Sequence, residues 1–426
     1  MAHFEYIDNN LCVNGHSLND MAKAHGTPTY VYSAPRIIEN YNALSTALNT
    51  ALPDHDVLLC YATKANSHIA IVNLLAQQGS GADVVSGGEL YRALKSGITP
   101  DKIVFSGVGK TEDEIKLAIE KKILQINVES LPELDRINEI AQDMNATANI
   151  GIRINPDVEA GEHDKTSTGR KDDKFGIDYD HGLAAYQHAN SLSHLNITGV
   201  SVHIGSQIVD AQPFEDAYQK LAAFIKTLAQ NGIDLANIDL GGGMGITYTR
   251  ETPLDPNAYA AVVKKTVGQF NAKLIFEPGR ALTGDAGVLL ARVQYVKTTP
   301  SGKNFVILDT GMGDLMRPAL YGSIHPVLPC IQHGDDVRPP STYDVVGPIC
   351  ESSDIFDKNV TGPSLHPGDA VAITVSGAYG MSMASNYNTR PQPMEILVNH
   401  DHVTVISTRK NFDQLIEHET IPEWIA

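Results

Sequence analysis

From about residue 55 to about residue 280 the chain repeats one unit: a short apolar run, a polar or glycine-rich turn, then a stretch with helical periodicity. The apolar runs fall at 57–61, 81–85, 103–106, 124–128, 150–154, 199–204, 238–240 and 274–276. Helical periodicity marks 69–77, 89–96, 112–121, 132–142, 213–230 and 258–269. Eight parallel strands, each followed by a helix, are the pattern of a (β/α)8 TIM barrel. The competing arrangement is an open, doubly wound sheet. That fold wants a glycine-rich dinucleotide fingerprint at its first strand-to-helix turn, and Thr63-Lys64-Ala65-Asn66 is not one.

The pattern changes after Thr283. Strand-like runs at 288–297, 305–309, 344–346, 370–375, 394–398 and 403–407 are joined by turns containing Gly and Pro. They predict a second, all-β domain of sandwich or barrel type. Residues 1–33 also hold strand-like runs, ending in Thr29-Tyr30-Val31-Tyr32-Ser33, which are candidates to join the C-terminal sheet. The expected organisation is therefore a barrel over 34–283, with 1–33 and 284–426 forming the β-rich domain. The charged, glycine-dotted segment 155–174 reads either as a surface loop or as an active-site lid.

A net charge of -18 argues against partners with a phosphate backbone or an anionic membrane surface, which would repel the chain. No stretch approaches the roughly 20 apolar residues of a membrane span, and the amino terminus lacks the pattern of a signal peptide. Cys12, Cys60, Cys330 and Cys350 form no CxxC pair, which predicts free thiols in a reducing cytoplasm rather than a zinc site.

Barrels of this kind build their active sites at the carboxyl ends of the strands. Reading those ends in turn gives Lys64 after the first run, Ser86-Gly87-Gly88-Glu89 after the second, and Arg153 in the fifth. His203-Ile204-Gly205-Ser206-Gln207 closes the sixth, Gly241-Gly242-Gly243-Met244-Gly245 follows the seventh, and Glu277-Pro278-Gly279-Arg280 follows the eighth. A lysine held partly out of water at a strand tip can expose a neutral amine to a carbonyl, although a lone strand-end lysine is more often simply solvated. Successive glycines let backbone N–H groups close on a phosphate, where an ordinary tight turn needs only one or two. Gly279, the backbone of Arg280 and the Ser206 hydroxyl are candidates for further phosphate donors. A Schiff-base lysine, a phosphate cradle and an acid on one rim point to pyridoxal 5'-phosphate, with Glu277 as the carboxylate at the ring nitrogen and His203 as a candidate to lie on the ring.

Two decoys carry no such chemistry. Gly107-Val108-Gly109-Lys110-Thr111 looks like a P-loop, but the pattern needs glycine where Val104 stands, so an ordinary turn and helix start are expected. Glu162-His163-Asp164 reads as a solvated charged loop rather than as metal ligands, and no metal is expected.

Tyr61-Ala62-Thr63-Lys64-Ala65-Asn66, the His203 segment, the glycine run and Glu277-Pro278-Gly279-Arg280 together resemble the barrel-type, fold-type III pyridoxal-phosphate decarboxylases, whose barrel is like that of the alanine racemases. Met316-Arg317-Pro318-Ala319-Leu320-Tyr321, Gly347-Pro348-Ile349-Cys350-Glu351-Ser352-Ser353-Asp354, Gly377-Ala378-Tyr379-Gly380 and Asn386-Tyr387-Asn388 are similar to the diaminopimelate decarboxylases within that family. Met244 and Met316 stand where leucine is expected, a volume-conserving change. Glu277 separates the chain from the racemases, which place an arginine at the ring nitrogen.

The resemblance implies decarboxylation of meso-diaminopimelate to L-lysine and carbon dioxide, the last step of lysine biosynthesis, by a cytoplasmic carboxy-lyase. It implies that Lys64 carries the cofactor, His203 stacks on it, and Glu277 pairs with its ring nitrogen, supported by Asp83 and Arg153. Ser206, Gly241, Gly242, Gly243, Gly279 and Arg280 would hold the phosphate, with Tyr379 closing the cofactor side. Arg280, Arg317 and Tyr321 would bind the distal carboxylate, Glu351 the distal ammonium, and Cys350 would donate the proton. Cys350 and Glu351 would come from the partner of a homodimer. A bidentate arginine fork reads a carboxylate well, which fits this substrate. The competing readings are a decarboxylase of the same fold acting on D-lysine, D-ornithine, arginine or a carboxy-polyamine, and a non-catalytic pyridoxal-phosphate-binding regulator.

Overall fold

The computed structural model describes residues 3–158, 174–334 and 336–425. The chain divides into two compact units, one of residues 37–283 and one of residues 1–36 with 284–426.

In the first unit eight strands form a closed parallel ring: Val57–Ala62, Gly81–Val84, Ile103–Phe105, Gln125–Val128, Ala148–Asn155, Leu195–Ser201, Asn237–Asp239 and Lys273–Phe276. The ring closes where Leu274 pairs with Val57 and Phe276 with Leu59. Helices return the chain between strands, and polar residues mark their starts. Ser86 and Ser130 accept from the N–H groups of Glu89 and Glu133, and Thr111 forms a capping box with Glu114. The segment that resembled a P-loop is thus a turn and a helix start.

The helix after the fifth strand, Tyr179–Ser191, carries too weak an apolar stripe to be read from periodicity. Its buried face is made of Gly182, Ala185, Tyr186 and Ala189. Smallness is required there, because a Cβ on Gly182 would lie 2.7 Å from the Phe224 ring. The sixth strand runs Leu195–Ser201 rather than 199–204, with a register shift between Ile197 and Gly199. Val202, His203 and Ile204 lie beyond the ladder, which places His203 at the rim.

Part of the barrel interior is polar. Gln125 accepts from Thr198 Oγ1 at 3.0 Å and from Asn237 Nδ2 at 3.2 Å, and donates to Asn127 Oδ1 at 2.7 Å. Gly151 and Gly199 leave room for it, since a Cβ at either position would come within 2.4 Å of the Gln125 amide. Buried polar groups cost little only when they are mutually satisfied, so this layer fixes side-chain positions below the rim.

The second unit is mostly strand. Thr29–Ser33 lies between Gly287–Thr298, to which it is antiparallel, and Met394–Val398, to which it is parallel. The amino-terminal run therefore sits inside the C-terminal sheet. Leu11, Val13, Leu18, Val31, Val288, Leu290, Ala372, Ile396 and Val398 share one apolar core. Two strands were not legible in the sequence, Val327–Pro329 and Ile355–Pro363. The latter is a mostly half-buried or exposed strand carrying Asp357, Lys358 and Asn359, so burial does not impose apolar alternation on it. Among the described residues no helix is long and apolar enough to cross a membrane.

Candidate active site

The first barrel strand is buried almost throughout and ends in a single 3-10 turn, Thr63–Ala65. Lys64 Nζ lies 2.8 Å from Asp83 Oδ2, with the Asp83 side chain fully buried and that of Lys64 32% exposed. The lysine is therefore held by a buried counter-charge rather than by an apolar pocket. Thr63 Oγ1 lies 2.9 Å from Asp83 O and 2.8 Å from Glu89 Oε2, either of which can accept its proton, and Val85 N donates to the same Glu89 oxygen. Burial pushes the Glu89 carboxyl above its usual range. The second oxygen of Asp83, Oδ1, is buried with no hydrogen-bond partner among the described residues.

Glu277 lies beyond the eighth strand in a cluster of acids. It shares a hydrogen bond with Asp239, and Ser106 Oγ is 3.4 Å from Glu277 Oε1. Asp239 accepts from Asn127 Nδ2 at 2.9 Å and from Gly241 N at 3.0 Å. Burial, then the charges of Asp239 and Asp83, push Glu277 well above the ordinary carboxylate range.

Arg153 is clamped from below. Its Nη1 donates to Glu129 Oε1 at 3.0 Å, its Nη2 donates to His203 O at 3.3 Å, and its guanidinium lies over the Phe175 ring. Glu129 also accepts from Gly107 N and Gly176 N. Burial acts to raise Glu129, but the charges of Arg153 and Lys110 and those two N–H groups outweigh it and hold the carboxyl below its usual value. His203 Nδ1 lies 3.1 Å from Gly242 N, which donates to it, so the neutral ring carries its proton on Nε2. Desolvation, Lys64 and Arg153 together keep His203 neutral.

The glycine run is needed for close backbone approach. A Cβ at Gly241 would lie 2.3 Å from Val202 O, at Gly242 2.2 Å from Glu277 O, and at Gly243 2.8 Å from Gly205 O. The loops after the sixth and seventh strands are zipped by Ile208 N to Gly243 O and Gly245 N to Ile208 O, both at 2.9 Å. Arg280 is buried, with Nη2 donating to Ser206 Oγ at 2.9 Å and Nη1 donating to the Tyr248 hydroxyl. Gly279 packs against Ala62 and Ala65, on either side of the Lys64 turn.

Lys64, Asp83, Arg153, His203, Ser206, Gly241, Gly242, Gly243, Glu277, Gly279 and Arg280 thus lie at or just beyond barrel strand ends. The other candidates belong to the second unit. Arg317, buried at the start of the helix Arg317–Tyr321, lies over the rings of Tyr321 and Tyr379 and donates to Ser323 Oγ at 3.2 Å. Cys350 and Glu351 are exposed. The buried Asp354 carboxylate accepts from Met312 N at 2.6 Å and Ile349 N at 2.7 Å and pins the turn that carries them. Gly311 and Gly347 make room for it, because a Cβ on either would come within 2.9 Å of its oxygens. Glu162, His163 and Asp164 lie outside the described residues.

Sequence reasoning passed over Glu129, Asp239, Asn127 and Tyr248. Glu129 directly follows a barrel strand, as Lys64 nearly does, so strand-end position was a usable signal. Asp239 and Asn127 lie within strands, and only the closed barrel turns them towards other polar groups.

The model of the pyridoxal-dependent decarboxylase pyridoxal-binding domain matches residues 36–284. Over 97% of both chains the sequence is 42% identical to the diaminopimelate decarboxylase of Aquifex aeolicus, and over 99% of both it is 43% identical to that of Vibrio cholerae. The crystal structure of diaminopimelate decarboxylase from M. jannaschii in complex with L-lysine has a TM-score of 0.95 at 37% identity, covering 100% of this chain and 99% of that one.

Proposed function

The chain belongs to the family of pyridoxal-dependent decarboxylases, and from that premise we propose that it removes one carboxylate of meso-diaminopimelate, releasing L-lysine and carbon dioxide. The observation that carries the reading is identity to diaminopimelate decarboxylases running through both units, not through the barrel alone.

The barrel rim fits pyridoxal phosphate. Asp83, Asp239 and Glu277 crowd negative charge into a buried space in which Lys64 is the near cation. A protonated ring nitrogen beside Glu277 is the charge that relieves this repulsion. Asp83 Oδ1 is a buried acceptor awaiting a donor, and Gly241, Gly242 and Gly243 keep side chains out of a backbone cradle suited to phosphate.

When bound, the cofactor supplies an electron sink for the pair left by the departing carboxylate. Lys64 would carry it covalently, and Asp83 would hold the lysine amine whenever that amine is not bonded to the cofactor. Glu277 would keep the ring nitrogen protonated. His203, neutral and fixed by Gly242 N, presents a flat face to the ring, while Arg153 braces the backbone of His203 from Glu129. Ser206, Gly241, Gly242, Gly243, Gly279 and Arg280 take the phosphate, and Tyr379 closes the cofactor side.

Arg317, with Arg280 and Tyr321, reads the carboxylate that does not react. Planar guanidinium groups match a carboxylate with two parallel bonds and bind an amine-terminated analogue poorly. Glu351 takes the distal ammonium, and Cys350 gives its proton to the carbon that has lost carbon dioxide. The exposure of Cys350 and Glu351 supports a homodimer in which each chain completes its partner's site. Four free cysteines and the biosynthetic reaction support a cytoplasmic location.

The test is lysine formation from meso-diaminopimelate with and without added pyridoxal phosphate. Cofactor-dependent lysine release is expected. Faster release of carbon dioxide from D-lysine than from meso-diaminopimelate would overturn the substrate assignment.

A further inference from the structure

Cys350 and Glu351 are adjacent and exposed, and each is held by one of two adjacent residues from another segment. Asn388 Oδ1 lies 3.5 Å from both Cys350 N and Cys350 Sγ, and Asn388 Nδ2 lies 3.4 Å from the same sulfur. One residue earlier, the Tyr387 hydroxyl donates to Glu351 Oε1, while Ser353 Oγ donates to Oε2 at 3.2 Å. Asn388 has a left-handed backbone, φ 56°. Asparagine and glycine adopt that conformation more readily than other residues.

We propose that Asn388 is a positioning residue that holds the Cys350 thiol for proton delivery, and that Tyr387 orients the Glu351 carboxylate towards the distal ammonium. The inference rests on the roles proposed above for Cys350 and Glu351.

An exposed cysteine otherwise samples three staggered rotamers, of which one aims the proton correctly. The Asn388 amide is suited to both states of the sulfur. Its oxygen accepts from S–H before transfer, and its NH2 donates to the thiolate left afterwards. The bond from Cys350 N fixes the amide itself. At Glu351 the two hydroxyl donors occupy one lone pair on each oxygen and set the plane of the carboxylate. The bond to Glu351 also pushes Tyr387 above its usual pKa, so its hydroxyl stays protonated and donating at neutral pH.

The two halves predict separable kinetics. Asn388→Gly keeps the left-handed backbone and deletes the amide, so a merely structural role predicts wild-type kcat. We expect kcat to fall roughly 10- to 100-fold, as misplacement of a reacting group does, with KM within about twofold. Asn388→Asp, which accepts but cannot donate, should recover part of the loss. In a Cys350→Ala background Asn388→Gly should cost less than about twofold more, because the group it positions is gone. Tyr387→Phe should raise KM for meso-diaminopimelate roughly three- to tenfold with kcat within about twofold, in line with one lost hydrogen bond.

Full cofactor absorbance in each variant shows that it is folded and loaded. Wild-type kcat in Asn388→Gly alongside a slow Cys350→Ala overturns the positioning role while leaving the proton-donor reading intact. An equal loss from Asn388→Gly with and without Cys350 also overturns it. Wild-type kcat in Cys350→Ala removes the donor reading, and this inference with it. An unchanged KM in Tyr387→Phe overturns the Glu351 half.

Discussion

Asp239, the last residue of one barrel strand, shares a hydrogen bond with Glu277, the first residue beyond the neighbouring strand, inside a buried acidic cluster. Asp239 also accepts from Asn127 and Gly241, and burial raises it to about 6. Glu277 has fewer donors and is raised further by burial and by Asp239, so the shared proton resides on Glu277 in the cofactor-free protein.

This pair makes the cofactor-free protein pH-sensitive in a defined direction. Both folded-state values lie above the unfolded range, so the folded state binds more protons and stability falls as pH rises from about 4 to about 6 and beyond. Asp239→Asn removes one of the two titrations. Between about pH 4 and about pH 8, urea unfolding should show wild type losing up to about 3 kcal/mol relative to the variant. A difference that does not change with pH would exclude the Asp239 contribution.

Lys64→Ala should abolish the visible absorbance of the cofactor bound through lysine and reduce decarboxylation to background. Asp83→Asn keeps the amine and loses the charge that holds it, so absorbance should persist while turnover falls. A visible band in Lys64→Ala would reassign the carrier lysine.

Arg317→Gln removes the guanidinium fork but not the fold of its short helix. The kcat/KM for meso-diaminopimelate should drop by roughly 10- to 100-fold, the worth of a charge-assisted bidentate contact. The value for D-lysine should change far less, since it lacks the second carboxylate. Equal losses on both substrates would show that Arg317 does not read that group.

The Glu129–Arg153 pair has side chains only 2% and 8% exposed. Glu129→Ala strands a buried guanidinium and should cost about 3–5 kcal/mol in urea unfolding. Glu129 is held below its usual value, so the pair's contribution is present at neutral pH and is lost as pH falls through the folded-state value. Activity should fall as well, through the loosened His203 backbone. A stability within about 0.5 kcal/mol of wild type would show that the Arg153 guanidinium is not stranded when Glu129 is removed.

If each chain of a homodimer lends Cys350 to its partner, an inactive variant and a slowed one should rescue each other. Lys64→Ala and Cys350→Ala, mixed one to one after dissociation and reassembly, should recover about a quarter of wild-type activity, because half the dimers carry one intact site. No recovery would mean that each chain uses its own cysteine.

The barrel was legible because its signal is local. Apolar runs lead into Lys64, the glycine run and Glu277, and a parallel barrel gathers strand ends at one rim whatever its details. The helix Tyr179–Ser191 was missed because, apart from Tyr186, its packing face is built from glycine and alanine, which give a weak apolar periodicity. Glu129 was missed because its partners, Arg153, Gly107 and Gly176, come from three places in the chain. Thr29–Ser33 was legible as a strand but not as an inner one, since its neighbours lie more than 250 residues downstream.

The sequence alone therefore determined the fold class, the pyridoxal chemistry and the residue types at each strand end, because strand periodicity, turn residues and motif spacing act over a few residues. The tertiary structure decided the states of those groups. Closing the ring puts Asp239 against Glu277 and Lys64 against Asp83, and it turns Arg153 onto the His203 carbonyl. In the second unit it brings Tyr387 and Asn388 onto Glu351 and Cys350. Charge, burial and hydrogen bonding at these positions depend on neighbours distant in the chain, and these neighbours set which group holds a proton and which gives one up.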